Sequence, residues 1–182
     1  MSTLLVTVGS TLFPTLTNTF LSPPILALLE HNRIKRLIVQ YGRADLPLDK
    51  GLHIHLDGQG RGQVDVGGMR VEVLRFTDDF EGLIGRADWV VSHAGSGSIL
   101  TTLRRDPPKP LLVVPNESLM DNHQSELADE MGERGYLMVS KVGELEHTLP
   151  KFLSVDKSTI KAFPQMDTDR FRNVLDEMMG FD

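Results

Sequence analysis

Short apolar runs alternate with amphipathic stretches along this chain, and this alternation limits the folds that it can adopt. Leu4–Val8, Arg36–Gln40, Trp89–Ser92 and Leu111–Val114 have the length and composition of buried strands. Strands that alternate with helices form a mainly parallel sheet covered by helices. The sequence therefore predicts an α/β domain of the Rossmann-like, three-layer kind.

The remaining elements follow from spacing and from the residues that end helices. Val64–Val66 and Met69–Leu74 predict an antiparallel hairpin with Gly67-Gly68 at its turn, and a mobile loop is the alternative. Helices are expected within Leu16–His31 with a break at Pro23-Pro24, and over Phe80–Ala87, Ser98–Arg105, Asp121–Gly135 and Leu145–Leu153. Further strands are expected at Val71–Phe76 and Tyr136–Val139. Apolar residues at helical spacing predict a last helix over 165–182.

Length and composition limit the class of protein. The 182 residues fit one domain, 1–182, and the net charge of -6 argues against nucleic acid as a partner. Without cysteine the chain has neither disulfides nor thiolate chemistry. No run approaches the roughly 20 apolar residues of a membrane span, and the N-terminus lacks a signal-peptide pattern. We expect a cytosolic protein whose membrane contact comes through another molecule.

The segment from Trp89 to Leu103 carries the most functional information. A buried strand leads into the small-residue loop His93–Gly97, which opens a helix. A helix N-terminus with free N–H groups favours an anion, and Gly95 and Gly97 would let a diphosphate approach the backbone. Ser98 is expected to cap the helix. The alternative is a tight turn in which the glycines serve packing alone.

Two further loops follow predicted strands. Gly9-Ser10-Thr11 would lie at the same sheet edge, where ligands of open α/β folds bind, although it too fits a plain turn. The segment 115–124 offers an unusual density of amide groups that suit sugar hydroxyls or phosphates. Its alternative is an N-cap at Asp121 with the rest solvated.

Other chemistries fit less well. Ser96 lacks the outer glycines of a nucleophile elbow, and only Gly9 stands where a dinucleotide fingerprint needs three glycines. His53 and His55 alternate as on one strand face but lack a third metal ligand, so we interpret them as surface or packing residues.

Three segments resemble one known family in order and spacing: Val-Thr-Val-Gly-Ser-Thr at 6–11, Val-Ser-His-Ala-Gly-Ser-Gly-Ser-Ile-Leu at 91–100 and Leu-Met-Asp-Asn-His-Gln at 119–124. They resemble the cytosolic catalytic subunits of the eukaryotic UDP-N-acetylglucosamine transferase of dolichol-linked oligosaccharide synthesis. These are similar to the C-terminal half of MurG-type glycosyltransferases of the GT-B architecture. The resemblance covers about residues 3–140.

The resemblance implies an inverting transfer of N-acetylglucosamine from UDP-N-acetylglucosamine to N-acetylglucosaminyl-diphosphodolichol, with no cofactor or metal required. It implies a set of donor-binding residues, which are Gly9, Ser10, Thr11, His93, Ala94, Gly95, Ser96, Gly97, Ser98, Thr101, Asn116, Met120, Asp121, Asn122, His123 and Gln124. Thr101 stands where relatives commonly carry an acidic residue suited to ribose, so the ribose contact is expected from Thr101 or from a neighbour such as Glu117.

The resemblance also implies a second, membrane-anchored subunit that binds the lipid-diphosphate acceptor at the cytosolic face of the endoplasmic reticulum. The catalytic base is expected from that partner, and no base is assigned here. The C-terminal helix is the candidate for docking the partner, or it packs on its own domain. The rival function is a non-catalytic UDP-sugar-binding regulatory module, and a UDP-sugar hydrolase or epimerase fits the length of the chain less well.

Overall fold

A computed structural model describes residues 2–47, 52–118 and 122–164, with the side chains of 126–164 but not of 122–125 in the last range. The strands are β1 (Thr3–Thr7), β2 (Arg36–Gln40), β3 (Gly62–Val66), β4 (Met69–Leu74), β5 (Trp89–His93), β6 (Leu111–Val114) and β7 (Met138–Val139). The helices are α1 (Pro14–Phe20), α2 (Pro23–His31), α3 (Phe80–Arg86), α4 (Ser96–Leu103), α5 (Asn122–Glu133) and α6 (Leu145–Leu153).

The seven strands form one sheet in the order β3-β4-β2-β1-β5-β6-β7. Every neighbouring pair is parallel except β3 and β4, which are antiparallel. In the register, Thr7 of β1 lies opposite Gln40 of β2 and Ser92 of β5. The carboxyl ends of these strands therefore meet at one edge of the sheet.

Two apolar layers cover the sheet, which confirms the expected three-layer α/β architecture. Alternate residues of β1 point to opposite faces, so Leu4 and Val6 join one core and Leu5 the other. The first core contains apolar residues of α1, α2 and α6, and the second contains those of α3, α4 and α5. Phe152 of α6 is only 1% exposed, so this late helix belongs to the folded domain.

The hairpin is confirmed, because β3 and β4 pair with Val66 opposite Met69. The break at Pro23 is also confirmed. Pro14 and Pro23 each stand at the start of a helix, where the missing N–H has no intrahelical role. Residues 165–182, where a C-terminal helix is predicted, lie outside the described residues.

Several boundaries differ from the expectations by one or a few residues, and two of these differences have a clear physical cause. Helix α4 begins at Ser96 and not at Ser98, because Gly95 takes the N-cap position and the Ile99 N–H donates to its carbonyl. Strand β7 starts at Met138 rather than Tyr136. The Tyr136 N–H instead donates to the Met131 carbonyl and completes the C-terminal turn of α5 around Gly135.

None of the helices in the described ranges is long and apolar enough to cross a bilayer.

Two Phe→Ala substitutions, one in α6 and one at an exposed position, test whether α6 is part of the core. Phe152→Ala should lower the free energy of unfolding by about 3–5 kcal/mol, because it leaves a cavity in a packed layer. Phe76→Ala, at a side chain that is 48% exposed, should change it by less than about 1 kcal/mol. Urea unfolding of both variants measures the difference. Equal effects would mean that α6 does not contribute to the core as described.

Candidate functional site

Three loops converge at the carboxyl edge of the sheet. A Cβ atom built on Gly9, in the loop after β1, would lie 3.0 Å from His93 Cε1 and 3.8 Å from Ser98 Oγ. From the loop after β6, Asn116 Nδ2 reaches the Leu12 carbonyl at 3.5 Å. The residues predicted from the first two loops therefore lie together, and the third loop borders them.

Helix α4 presents an uncapped N-terminus to this edge. Its N-cap residue Gly95 has no side chain to bond the first turn, and no acidic residue stands in that turn. The N–H groups of Ser96, Gly97 and Ser98 precede the first intrahelical donor, Ile99, so they lack acceptors within the helix. Ser98 lies inside the helix and is not its cap, contrary to expectation. This helix end can receive an anion.

The two glycines of this loop have different structural roles. A Cβ on Gly95 would overlap His93 Nε2, so packing alone requires glycine there. A Cβ on Gly97 would meet no atom of the described residues within 4 Å, apart from its own helix backbone and chain neighbours, and Gly97 is exposed. Packing therefore does not explain Gly97, and the open space above it leaves room for a ligand to reach the backbone.

His93 lies beneath this loop between Gly9 and Gly95. It is 6% exposed, and its Nδ1 is buried with no hydrogen-bond partner among the described residues. Burial lowers the pKa of His93 below its ordinary value of 6.5, and the Thr7 backbone offsets part of that effect. The imidazole is thus held neutral at pH 7.

The loop after β1 is fixed by a residue that the sequence did not single out. Gly9 has φ +57°, and its N–H donates to Gln40 Oε1 at 2.8 Å while its carbonyl accepts from Gln40 Nε2 at 2.8 Å. The Thr11 N–H donates to the Val8 carbonyl. Ser10 is exposed, and its N–H has no partner among the described residues. Gly9 therefore turns the chain, and Ser10 is the residue that this loop presents.

The remaining predicted residues occupy the border of the site or cannot be placed. Thr101 is half-buried on α4, four residues after Gly97 and so on the same side of the helix. Asn116 Oδ1 accepts from the N–H and hydroxyl of Ser118, within its own turn. Met120 and Asp121 lie outside the described residues. The backbone of Asn122, His123 and Gln124 forms the first turn of α5, and their side chains are not described.

Two exposed apolar side chains at this edge were also not predicted. Phe76 follows β4 and is 48% exposed, and Leu12 follows β1 and is 57% exposed. Their signal in the sequence is weak, because an aromatic residue just after an apolar strand reads as part of that strand. Away from this edge His53 and His55 are exposed, and no group of three metal-ligating side chains occurs among the residues that the structure describes.

Solved structures place this fold among the glycosyltransferases of the GT-B type. MurG of Acinetobacter baumannii aligns over 87% of this chain and 42% of its own, with a TM-score of 0.63 and 19% identity. An NMR structure of ALG13 aligns over 96% of this chain and 94% of its own, with a TM-score of 0.65 and 29% identity.

Similarity in sequence identifies the family to which this chain belongs. The glycosyltransferase family 28 C-terminal domain matches residues 3–178, and the chain belongs to this family. The UDP-N-acetylglucosamine transferase subunit ALG13 of Cryptococcus neoformans var. neoformans serotype D is 52% identical over 99% of this chain and 98% of its own length. The subunit of the same name from Eremothecium gossypii is 34% identical over 97% of this chain and 92% of its own. The expected resemblance is thereby confirmed.

The buried imidazole predicts a pH dependence of stability. Since the folded state holds His93 neutral, the unfolded chain takes up the proton first as the pH falls. The free energy of unfolding should therefore decrease as the pH falls from 7.5 through 6.5 to 5.5, and His93→Gln should reduce this decrease. Urea unfolding at the three pH values measures it, above the range in which carboxylates ordinarily titrate.

His53→Gln is the matched control, since His53 is solvent-exposed. It should retain the pH dependence of the unsubstituted chain. A dependence that His93→Gln leaves intact would contradict the assignment of a buried neutral imidazole.

Proposed function

We propose that this chain is the donor-binding, catalytic subunit of an inverting N-acetylglucosaminyltransferase. It transfers N-acetylglucosamine from UDP-N-acetylglucosamine to the 4-hydroxyl of N-acetylglucosaminyl-diphosphodolichol with a β-1,4 linkage, the second step of lipid-linked oligosaccharide synthesis for N-glycosylation. The observation that carries the proposal is the open N-terminus of α4 at Gly97, beside His93 and the loop that contains Gly9. It occurs in a chain whose relatives are named UDP-N-acetylglucosamine transferase subunits.

The diphosphate of the donor would bind at this helix end. The N–H groups of the first turn, the Ser96 hydroxyl and the Ser10 N–H offer hydrogen bonds to phosphate oxygens. Phe76 offers an exposed aromatic face on which the base can stack. The side chains of Asn122, His123 and Gln124 remain predicted contacts of the donor.

The ribose would bind one turn further along α4. Thr101 lies on the side of α4 that faces the open space at Gly97, and its hydroxyl supplies one hydrogen bond. Glu117, the other candidate, forms an ion pair of 3.0 Å with Lys141, with both side chains largely exposed. An exposed pair of this kind is weak, so it can open when a ligand binds.

The reaction needs stabilisation of the leaving group. The acceptor oxygen forms a bond to the anomeric carbon as the bond from that carbon to the UDP oxygen breaks, and negative charge grows on the diphosphate. The fixed N–H groups and dipole of α4 would stabilise this charge without reorganisation. The neutral His93 beside them adds no like charge to the nucleotide and can accept or donate one hydrogen bond.

The base that removes the acceptor proton would come from the second subunit. Two acidic side chains at this edge already have partners, since Asp79 accepts from the Gly82 N–H and caps α3, and Glu117 is paired with Lys141. Both carboxylates are largely exposed, with side-chain exposures of 66% and 61%. This arrangement supports a division in which the chain binds the donor and a membrane-anchored partner at the cytosolic face of the endoplasmic reticulum binds the acceptor. Residues 165–182 remain the candidate docking segment.

Sugar transfer tests the proposal directly. UDP-N-acetylglucosamine and a short-chain N-acetylglucosaminyl-diphospholipid are incubated with this chain alone, with membranes containing the partner subunit alone, and with both. We expect product only with both. Binding of the donor without turnover in the combined sample would instead favour the regulatory module.

A substitution at Gly97 separates ligand binding from folding. Gly97→Ala should leave the free energy of unfolding unchanged or raise it by up to about 1 kcal/mol, because alanine favours the helix and its Cβ meets no atom of the residues that the structure describes. The same methyl group narrows the approach to the N–H groups, and the dissociation constant for UDP should rise about tenfold, the equivalent of one or two lost hydrogen bonds. Calorimetric titration and urea unfolding measure the two effects.

Gly58→Ala is the control, since a Cβ on Gly58 also meets no atom in the described part of the chain and Gly58 lies in an exposed loop before β3. It should leave UDP affinity unchanged. Unaltered affinity in Gly97→Ala would contradict a diphosphate site at the N-terminus of α4.

A further inference from the structure

Gln40 makes four hydrogen bonds with one buried carboxamide. Its Oε1 accepts from Thr7 Oγ1 at 2.6 Å and from the Gly9 N–H at 2.8 Å. Its Nε2 donates to the carbonyls of Gly9 at 2.8 Å and of Arg75 at 2.7 Å. Gln40 is 2% exposed, so water does not compete for these groups. Two carbonyl partners and an N–H partner also fix which end of the amide faces which group.

The carboxamide extends the sheet beyond its last backbone pair. The Val8 N–H donates to the Gln40 carbonyl, and the next residue, Gly9, exchanges both of its polar groups with the side chain of the same glutamine. In a regular sheet, the backbone of a neighbouring strand pairs with both the N–H and the carbonyl of a residue in this way. Here a side chain does so, which lets Gly9 turn to φ +57° without leaving its N–H and carbonyl unpaired.

These hydrogen bonds determine which residue of the loop can donate to a ligand. Gly9 cannot donate to a ligand while its N–H is bonded to Gln40, and the Thr11 N–H is bonded to Val8. The backbone donor of this loop that has no partner among the described residues is the N–H of Ser10, and the Ser10 residue is exposed. The bond to the Arg75 carbonyl ties the same amide to the end of β4, just before Phe76.

We infer that Gln40 is the positioning residue of the donor site. It holds the loop after β1 so that the N–H and hydroxyl of Ser10 face the nucleotide diphosphate at the N-terminus of α4, and it links this loop to the segment that carries Phe76. The inference rests on the proposed function, because it assigns the loop a nucleotide diphosphate. Gln40 itself touches no ligand in this arrangement.

The variant Gln40→Met removes all four hydrogen bonds at similar side-chain length. Tyr41→Phe is its matched control, since the hydroxyl of the buried Tyr41 makes one partly buried hydrogen bond to the Gly60 carbonyl at 2.7 Å and no bond to the described residues of the loop after β1. Thr7→Val is a milder test, because it keeps the shape of the side chain and removes the hydroxyl that donates to Gln40 Oε1. It replaces Gln40→Met if that variant does not fold.

UDP is titrated into each full-length variant by calorimetry, with hydrogen exchange of the Gly9 amide and thermal unfolding measured alongside. Gln40→Met should raise the dissociation constant for UDP at least about tenfold and expose the Gly9 amide to exchange, and Thr7→Val should raise the dissociation constant about threefold. Tyr41→Phe should lower thermal stability and change UDP affinity less than about twofold.

The outcomes separate the two proposals. Two results would overturn the role of Gln40 and leave the proposed function standing. In the first, UDP affinity falls in proportion to thermal stability in all three variants. In the second, Gln40→Met leaves UDP affinity unchanged. Failure of the unsubstituted chain to bind UDP would overturn the proposed function and, with it, the inference.

Discussion

The parallel pairing of β1 with β2 and β5 is the constraint on which the site depends. Leu4, Leu5 and Val6 are completely buried at the centre of the sheet, and both neighbours of β1 run in the same direction. Parallel strands bring all their carboxyl ends to one edge. Residues as distant in sequence as Gly9, His93 and Asn116 therefore lie in or beside one site, and packing of the two cores on either face keeps them there.

Much of this could be read from the sequence because the signals are local. The apolar runs of β2 and β6 agree with the structure at both ends, and the two glycines at 67–68 identify the hairpin. The loops at Gly9 and Gly95 were found because small residues between a strand and a helix have few other uses. These features depend on neighbours in the chain, which a single sequence displays.

The features that were missed depend on contacts between distant residues. Gln40 looks like the polar end of an apolar strand, and only the fold shows that its side chain bonds a loop 31 residues earlier. Serine favours the cap position, which predicts a helix start at Ser98, yet Gly95 takes the N-cap and α4 begins at Ser96. The sequence does not distinguish Gly95 from Gly97. In the structure the His93 ring lies against Gly95, which is therefore needed for packing, and not against Gly97.

The two edge strands of the sheet limit how this domain can associate with other chains. In the described part of the chain, one border is β7, which is only two residues long, and the other is β3, whose outward residues include Gln63 and Asp65. A short strand and a charged one are both poor templates for adding a foreign strand. Assembly by extending the sheet is therefore disfavoured on either side, and a second polypeptide has to recognise loop and helix surfaces, whose shapes are specific to this domain.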